Sequence, residues 1–444
     1  MKTDPHFLLL AGIKSILRCD EAETVHGIAD YVVSQHRGLR LLSELISRSR
    51  STPIPGVIAL VGWLRSFLAV APGGHCDGTA WIARLGNERQ AIEKLRVLVP
   101  ELRWTELEFN SLPDLAGLFA LVRSLHKHEL VRRIFRIARL LHRRHEFFKA
   151  LRVVELIGYY SRYLNIFQRG SFSLAVMSSH SNPHGIAFNL AARKCGVPTV
   201  LITHGMPVRP VARLSFDLAV VHCEAARQTY LEDGCRFDRV LIHGRRQHRV
   251  AMATGRLPEH LTVGIFLCKD VNEERLRALV DRTLGEPRVS RILIRPHPKN
   301  LWMGLNKWIE SRQNLPVHLS RSGSLFRDLQ NSDIVLAGNS SVLIDAVVAG
   351  RPSGYAPGLD HGSPDLHAFV ARGLIHPIDE LGFNPEAILH FYQRPDWSTV
   401  LRLFANVDED GVSVTTRAAV IMRELAAPDD PLFETGIEQM PLSL

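Results

Sequence analysis

Asp333-Ile-Val-Leu-Ala-Gly-Asn-Ser-Ser-Val-Leu-Ile-Asp-Ala-Val-Val-Ala-Gly350-Arg-Pro352 decides the fold. Ile334 to Ala337 is apolar without alternation, the pattern of a strand buried on both faces. Asn339-Ser340-Ser341 supplies capping residues, Val342 to Ala349 a helix and Gly350 its stop. The run is therefore one strand-to-helix turn of a parallel α/β sheet. In such sheets the carboxyl ends of the strands open on a crevice where ligands bind, and the first helical N–H groups carry about half a positive charge. A phosphate suits that position, with the Ser340 and Ser341 hydroxyls as donors and Asn339 beside them. The preceding apolar strand, Arg291 to Ile294, ends in Arg295-Pro-His-Pro-Lys-Asn300 and brings His297 to the same edge. Taken alone the serines also admit the reading of helix caps only, and the histidine turn at a second strand end weighs against it.

A chain of 444 residues is long enough for two domains, each with a large buried core. Its 46% hydrophobic and 22% charged content is that of a soluble globular protein, and no apolar run approaches the ~20 residues of a membrane-spanning helix. Phe7 to Ile13 is too short and lacks a small-residue cleavage pattern, so no signal peptide is expected. The six cysteines are scattered without CxxC spacing, which predicts a reduced, cytoplasmic chain and no metal site.

The formal net charge of +9 calls for an anionic partner. From Glu129 to Arg152 eight basic residues face two acidic ones, a local net charge of +6. At helical spacing Leu130, Ile134, Ile137, Leu141 and Phe148 share one side, while Arg132, Arg136, Arg139 and Arg143 gather on the other. This basic amphipathic helix either packs its apolar stripe on the domain and leaves a solvated cationic face, or docks on anionic lipid. It lacks the aromatic platforms of nucleic-acid binding, and no nucleic-acid partner is expected. His142 and His145 sit among arginines without a third ligand and read as surface residues.

Along the chain, helical spacing recurs in the first fifty residues, and Val57 to Val70 fits strand or helix. A strand–helix–strand unit follows: Trp81 to Arg84, Glu88 to Val99, and Leu107 to Phe109. A long helical span runs from about 115 to 167. From Leu174 strands and helices alternate: Leu174–Met177, Ile186–Lys194, Thr199–Thr203, Asp217–Val221, Glu224–Glu232 and Arg239–Gly244. The polar stretch Arg245 to His260 is the natural linker, after which Leu261–Leu267, Glu273–Leu284, Arg291–Ile294, Leu301–Ser311, Val317–Leu319 and Ser324–Gln330 restart the pattern. Alternation of this kind implies parallel sheets. The prediction is α/β, two Rossmann-like domains facing a cleft with a helix-rich N-terminal portion: residues 1–250, residues 257–425, and a tail at 426–444.

The ordered set His204-Gly-Met-Pro207 at a strand end, His297-Pro298, and Ser340-Ser341 followed by Asp345 resembles the two-domain GT-B glycosyltransferases. Within them it is most similar to the group of teichoic-acid glycerophosphate polymerases (CDP-glycerol glycerophosphotransferases), bacterial sialyltransferases and capsule Kdo transferases. The likeness covers roughly Leu174 to Tyr355. It implies that His297, Ser340 and Ser341 hold the phosphate of a CMP- or CDP-linked donor, and that His204 is the base. Asp345 is either a ribose contact or a first-turn helix charge; Arg295 and Lys299 either neutralise the phosphate or sit solvated at a strand end. The acid-acid-glycine motif of the sialyltransferases is matched in letters by Glu232-Asp233-Gly234, yet that triplet ends a helix and recurs at Glu409-Asp410-Gly411, so it is read as a turn.

The sequence thus predicts a cytoplasmic enzyme that moves a sugar or polyol phosphate unit from a nucleotide-activated donor to a cell-envelope or capsular glycan or lipid-linked acceptor. No cofactor is called for, and attachment to the inner face of the membrane is the lipid reading of the basic helix. The alternatives are an epimerase of the UDP-N-acetylglucosamine 2-epimerase type, for which no convincing set of cleft carboxylates stands out, and a non-catalytic nucleotide- or lipid-binding scaffold of envelope assembly. If Arg132, Arg136, Arg139 and Arg143 meet anionic lipid, replacing all four by Gln weakens binding to anionic vesicles by about 1 kcal/mol per charge, and added salt mimics the loss. Equal sedimentation of variant and wild type with such vesicles identifies a solvated face instead.

Overall fold

The computed structural model describes residues 53–427 apart from 73–75, 84–85, 110–146, 179, 181, 208, 210, 244–256, 299–301, 303, 313, 321–322, 363, 379–382 and 406–410. Arg132, Arg136, Arg139, Arg143 and Lys299 lie outside the described residues, as does the first part of the helical span expected from 115.

The N-terminal domain comprises α1 (Pro53–Leu68), β1 (Val70–Pro72), β2 (Asp77–Ile82), α2 (Gly86–Arg96), β3 (Trp104–Phe109), α3 (Phe147–Arg169), β4 (Ser171–Met177), α4 (Pro183–Lys194), β5 (Thr199–Ile202), β6 (Ser215–Val221), α5 (Glu224–Glu232) and β7 (Arg236–Ile242). Its sheet runs β1-β3-β2-β4-β5-β6-β7, parallel except for β1, which pairs antiparallel with β3 at the edge. The C-terminal domain comprises β8 (Leu261–Phe266), α6 (Glu273–Leu284), β9 (Val289–Arg295), α7 (Leu305–Glu310), β10 (Val317–Leu319), α8 (Leu325–Gln330), β11 (Ile334–Ala337), α9 (Val342–Val348), β12 (Ser353–Tyr355), β13 (His376–Pro377), α10 (Pro385–Tyr392) and α11 (Trp397–Ala405). Its sheet runs β10-β9-β8-β11-β12-β13 and is parallel throughout. The predicted fold class holds: α/β, two Rossmann-like domains.

The deciding stretch folds as read. All four residues of β11 are buried, and Gly350 takes φ 74° where α9 stops. Val57 to Val70 resolves to helix, with Ala59, Trp63 and Phe67 at helical spacing on the buried side. Helix α4 begins at Pro183 rather than Ile186, because proline at the first helical position supplies the needed φ and its missing N–H costs no hydrogen bond.

The C-terminal boundary expected at 425 changes. Helix α12 (Gly411–Ala426) leaves the second domain and lies on the first: Val414, Ala418, Ala419 and Met422 share a core with Trp81, Leu174, Val176, Val200 and Val220. Arg423 pins it there through Glu101 and the Leu98 carbonyl (2.7 Å), and Arg239 pairs with Glu424. Its apolar stripe is read equally well as cover for either sheet, so the choice is tertiary.

The two domains meet across α5 and α11, and one apolar cluster runs through both, including Tyr230, Phe369 and Phe404. Arg372 crosses the boundary, donating to the Ala225 carbonyl (2.8 Å) and to Glu232 (3.1 Å). Glu232 also binds Arg209, and Asp233 accepts the Val211 N–H (2.7 Å). Glu232-Asp233-Gly234 is thus a helix end and a domain clamp, with Gly234 at φ 92°.

Candidate functional site

Each sheet has a point where the strand order reverses, and there the connecting helices diverge and open a crevice at the strands' carboxyl ends. In the C-terminal sheet that point lies between β8 and β11, since β9 and β10 build to one side and β12 and β13 to the other. The Gly338-Asn339-Ser340-Ser341 turn stands directly on it. In the N-terminal sheet the parallel strands reverse between β2 and β4, where Glu88 follows β2 and Ser178 follows β4. His204 follows the next strand, β5.

On the N-terminal side, adjacency of β4 and β5 sets Ser178 beside His204, with Ser178 Oγ 3.1 Å from His204 Nδ1. Contact at Nδ1 leaves Nε2 on the other side of the ring, and the residue is exposed. Burial of part of the imidazole lowers the His204 pKa; the Glu88 carboxylate and a hydrogen bond to the Ser178 backbone oppose that shift. Glu88 is itself 1% exposed, in the first turn of α2. His180, also buried, places Nδ1 3.2 Å from the Tyr230 hydroxyl, and burial with the neighbouring His204 charge pushes it down to about 3. Both histidines are consequently neutral at pH 7, and a neutral imidazole accepts a proton.

On the C-terminal side, Asn339 is engaged within the protein. Its N–H donates to Asp360 Oδ2 (2.7 Å), its side-chain amide to Asp360 Oδ1 (2.8 Å), and its side-chain carbonyl accepts the Leu366 N–H (2.8 Å). Asn339 therefore shapes the turn. Ser340 Oγ accepts the Val342 N–H at 3.4 Å, and a hydroxyl that accepts still has its own O–H to donate. Ser341 is exposed and makes no side-chain cap bond. Asp345 is half-buried one turn into α9. His297 is half-buried two residues beyond β9. Because β8 lies between β9 and β11, His297 and the serines share an edge at two strand spacings, roughly 10 Å, rather than touching.

Arg295 does not face the crevice as a free cation. Its guanidinium pairs with Asp328, whose side chain is 3% exposed, and donates to the Ser324 carbonyl (3.2 Å), while Ser320 Oγ donates to the same Asp328 carboxylate (2.5 Å). This corrects the phosphate reading of Arg295: a buried carboxylate needs the cation more than a solvated ligand does.

Sequence reasoning assigned no role to Glu88, Ser178, His180, Tyr355 or Asp360. Ser178 and His180 carried a legible signal, standing in a Ser/His/Asn-rich turn at a strand end. Asp360 carried none, because its partner Asn339 is 21 residues away. Among the described residues no His, Cys, Asp and Glu group is arranged to hold a metal, and no helix is long and apolar enough to cross a membrane.

No known protein family matches the sequence, and no curated protein does. Solved structures are similar in outline. A putative UDP-N-acetylglucosamine 2-epimerase from Listeria monocytogenes is 12% identical with a TM-score of 0.43, over 80% of this chain and 98% of that one. The calicheamicin glycosyltransferase CalG4 is 15% identical with a TM-score of 0.41, over 62% and 80%. MurG from Acinetobacter baumannii is 8% identical with a TM-score of 0.39, over 78% and 99%. Likenesses this distant leave the chemistry to the residues themselves.

Removing the Arg295 guanidinium leaves Asp328 buried and short of its counter-ion, so Arg295→Ala should lower unfolding free energy by about 3–5 kcal/mol in urea titration. A variant of wild-type stability that loses only nucleotide affinity would return Arg295 to the ligand site.

Proposed function

We propose that this chain is a nucleotide-sugar transferase of the GT-B type, with the donor on the C-terminal sheet and the acceptor on the N-terminal sheet. The observation that carries the reading is the placement of a neutral, hydrogen-bonded histidine at one sheet's carboxyl edge opposite a two-serine turn at the reversal point of the other. Ser340 and Ser341, with His297 one strand beyond β8, receive the donor phosphate. Their donors offset the charge that grows on the leaving oxygen, an effect that is usually the largest in such reactions. His204 takes the proton: the acceptor O–H loses it to Nε2, the acceptor oxygen bonds to the donor carbon or phosphorus, and the bond to the leaving nucleotide phosphate breaks. Ser178 fixes the ring by its contact at Nδ1. By the motif resemblance the donor is CMP- or CDP-linked and the acceptor a cell-envelope or capsular glycan.

Glu88 favours a second reading. A buried carboxylate electrostatically coupled to a histidine also suits abstraction of a carbon-bound proton, as an epimerase of UDP-N-acetylglucosamine needs. Incubation of that sugar nucleotide in deuterated water separates the two: deuterium enters the sugar at C2 in an epimerase and not in a transferase.

His204→Ala is expected to cut transfer by about 10²–10⁴-fold and leave nucleotide affinity unchanged. Ser340→Ala with Ser341→Ala should weaken nucleotide binding by roughly 2–4 kcal/mol with the fold intact, and His297→Ala should weaken it too. Thermal shift with CMP, CDP, UDP and GDP reads the binding arm, since a ligand specific to the folded state raises its stability. Near-normal transfer by His204→Ala places the base elsewhere, with Glu88 the next residue to test; unchanged affinity in the serine pair removes the phosphate assignment.

A further inference from the structure

Helices α1, α3 and α4 run side by side in one direction on one face of the N-terminal sheet. Gly158 of α3 is a point of close approach to α1, since a Cβ there would strike the Trp63 carbonyl (2.6 Å) and the Ser66 side chain (2.9 Å). Further on, Arg162 Nε donates to the Val70 carbonyl (2.8 Å), and past the helix end the Ser171 N–H donates to the Cys76 carbonyl (2.8 Å). Partners that advance together along both segments mean parallel helices. Helix α4 keeps the same sense against α3: Tyr159 meets His184 (ring centroids 6.1 Å apart), while Tyr163 and Phe167 meet Phe188 (5.3 and 5.4 Å). His184 is in the first turn of α4, which starts at the carboxyl edge of β4 just after the turn of Ser178 and His180. Tyr159 stands level with it, so the earlier turns of α3 reach past that edge. The first half of α1, which precedes its contact with Gly158, reaches past it too.

That projecting half of α1 is apolar on its outer side as well as its inner one. Ala59, Trp63 and Phe67 are buried, yet Val57 is 52% and Val61 58% exposed, and Leu60 and Leu64 beside them are only half-buried. Exposed Arg65 continues the line, because residues four apart share a helix face. Helix α1 contains no carboxylate, and Arg65 is its only charged residue. An apolar line ending in a cation suits a helix lying in a lipid headgroup layer, where the valines meet acyl chains and the guanidinium meets phosphate. No helix among the described residues is long and apolar enough to cross a membrane, so α1 would lie on the surface. The chain next to it fixes the sign of the partner. Helix α3 begins at Phe147, level with Val57 when both helices are followed back from Gly158, and the stretch Glu129 to Arg152, net +6, enters the described structure there. A second copy docked on this face would bring two such stretches together and be repelled; anionic lipid is attracted.

We propose that the outer line of α1, Val57, Val61 and Arg65, docks the N-terminal domain on an anionic lipid surface, with the strand edge that carries His204 turned towards the bilayer. Docked so, the cleft receives an acceptor from the membrane side, which makes that acceptor a hydroxyl on a lipid-linked molecule. The acceptor class rests on the transferase reading above; the docking does not.

The test uses the full chain with phosphatidylcholine vesicles that contain or lack phosphatidylglycerol. Wild type is expected to sediment with the anionic vesicles and to be released by salt. Val57→Ser with Val61→Ser should lose about tenfold or more of that binding, and Val57→Leu with Val61→Leu should keep it. Val97, 74% exposed just past α2 on the sheet's other face, is the control: Val97→Ser binds as wild type does. Brominated acyl chains should quench Val61→Trp beyond the quenching of wild type, and Val97→Trp no further than wild type. Equal sedimentation of the serine pair and wild type, or no added quenching of Val61→Trp, overturns the docking face. A lowered unfolding midpoint in the serine pair overturns it as well, because the line is then covered within the chain. So does a change of mass in vesicle-free sedimentation velocity, which shows a second copy on the line. Thermal shift with CMP, CDP, UDP and GDP is read on the same variants without vesicles, so a failure of docking and a failure of the donor reading are seen separately.

Discussion

A single buried carboxylate organises the C-terminal half of the cleft. Asp360, 8% exposed, accepts the Asn339 N–H, the Asn339 side-chain amide and the Gly362 N–H (3.0 Å). Removing a carboxylate from water costs several kcal/mol, and bonds to charged groups return about 1.5–3 kcal/mol each, so the site is stable only with its donors in place. The requirement propagates outward. Gly338 cannot carry a side chain, since a Cβ there would collide with Asp360 Oδ2. Cys268, at the end of β8, has its thiol pushed up by burial and by the same carboxylate, and stays protonated. The conformation of the serine turn is thus imposed from a residue that follows it by a strand and a loop.

Chain order in the sheets does the rest of the positioning. A parallel strand must return by a crossover, and crossovers on opposite faces diverge where the order reverses. Both reversal points here carry polar residues at the carboxyl edge: Glu88 and Ser178 in one sheet, Asn339 and Ser340 in the other. Several polar groups described near the cleft are spent on structure. Arg295 satisfies Asp328, Glu232 joins Arg209 to Arg372 across the domain boundary, and Asn339 joins two loops.

The electrostatics of the two halves differ in kind. The N-terminal edge holds a buried imidazole, His180, and a partly desolvated one, His204, and desolvation of a cation favours the neutral form, which lowers the pKa of both. The C-terminal edge offers hydroxyls and a half-buried histidine. An uncharged base opposite a set of hydrogen-bond donors suits proton removal from one reactant while negative charge leaves on the other.

Local pattern was sufficient wherever a feature is local. The unbroken apolar runs at Ile334–Ala337 and Leu174–Met177 specify strands covered on both faces, the glycine at 350 specifies a helix stop, and together they yield two parallel sheets and the strand ends that carry His204, His297 and Ser340. Those same signals said nothing of which strand lies beside which. The Ser178 contact with His204, the Glu88 carboxylate that acts on His204, the capture of Arg295 by Asp328 and the crossing of α12 to the other domain all join residues distant in sequence. Amphipathic periodicity states that a face must be covered and leaves open by what; an arginine at a strand end looks the same whether a ligand or a buried aspartate will claim it. Only packing, by deciding which polar groups lose their water, settled which charges are paired and which remain to meet a ligand.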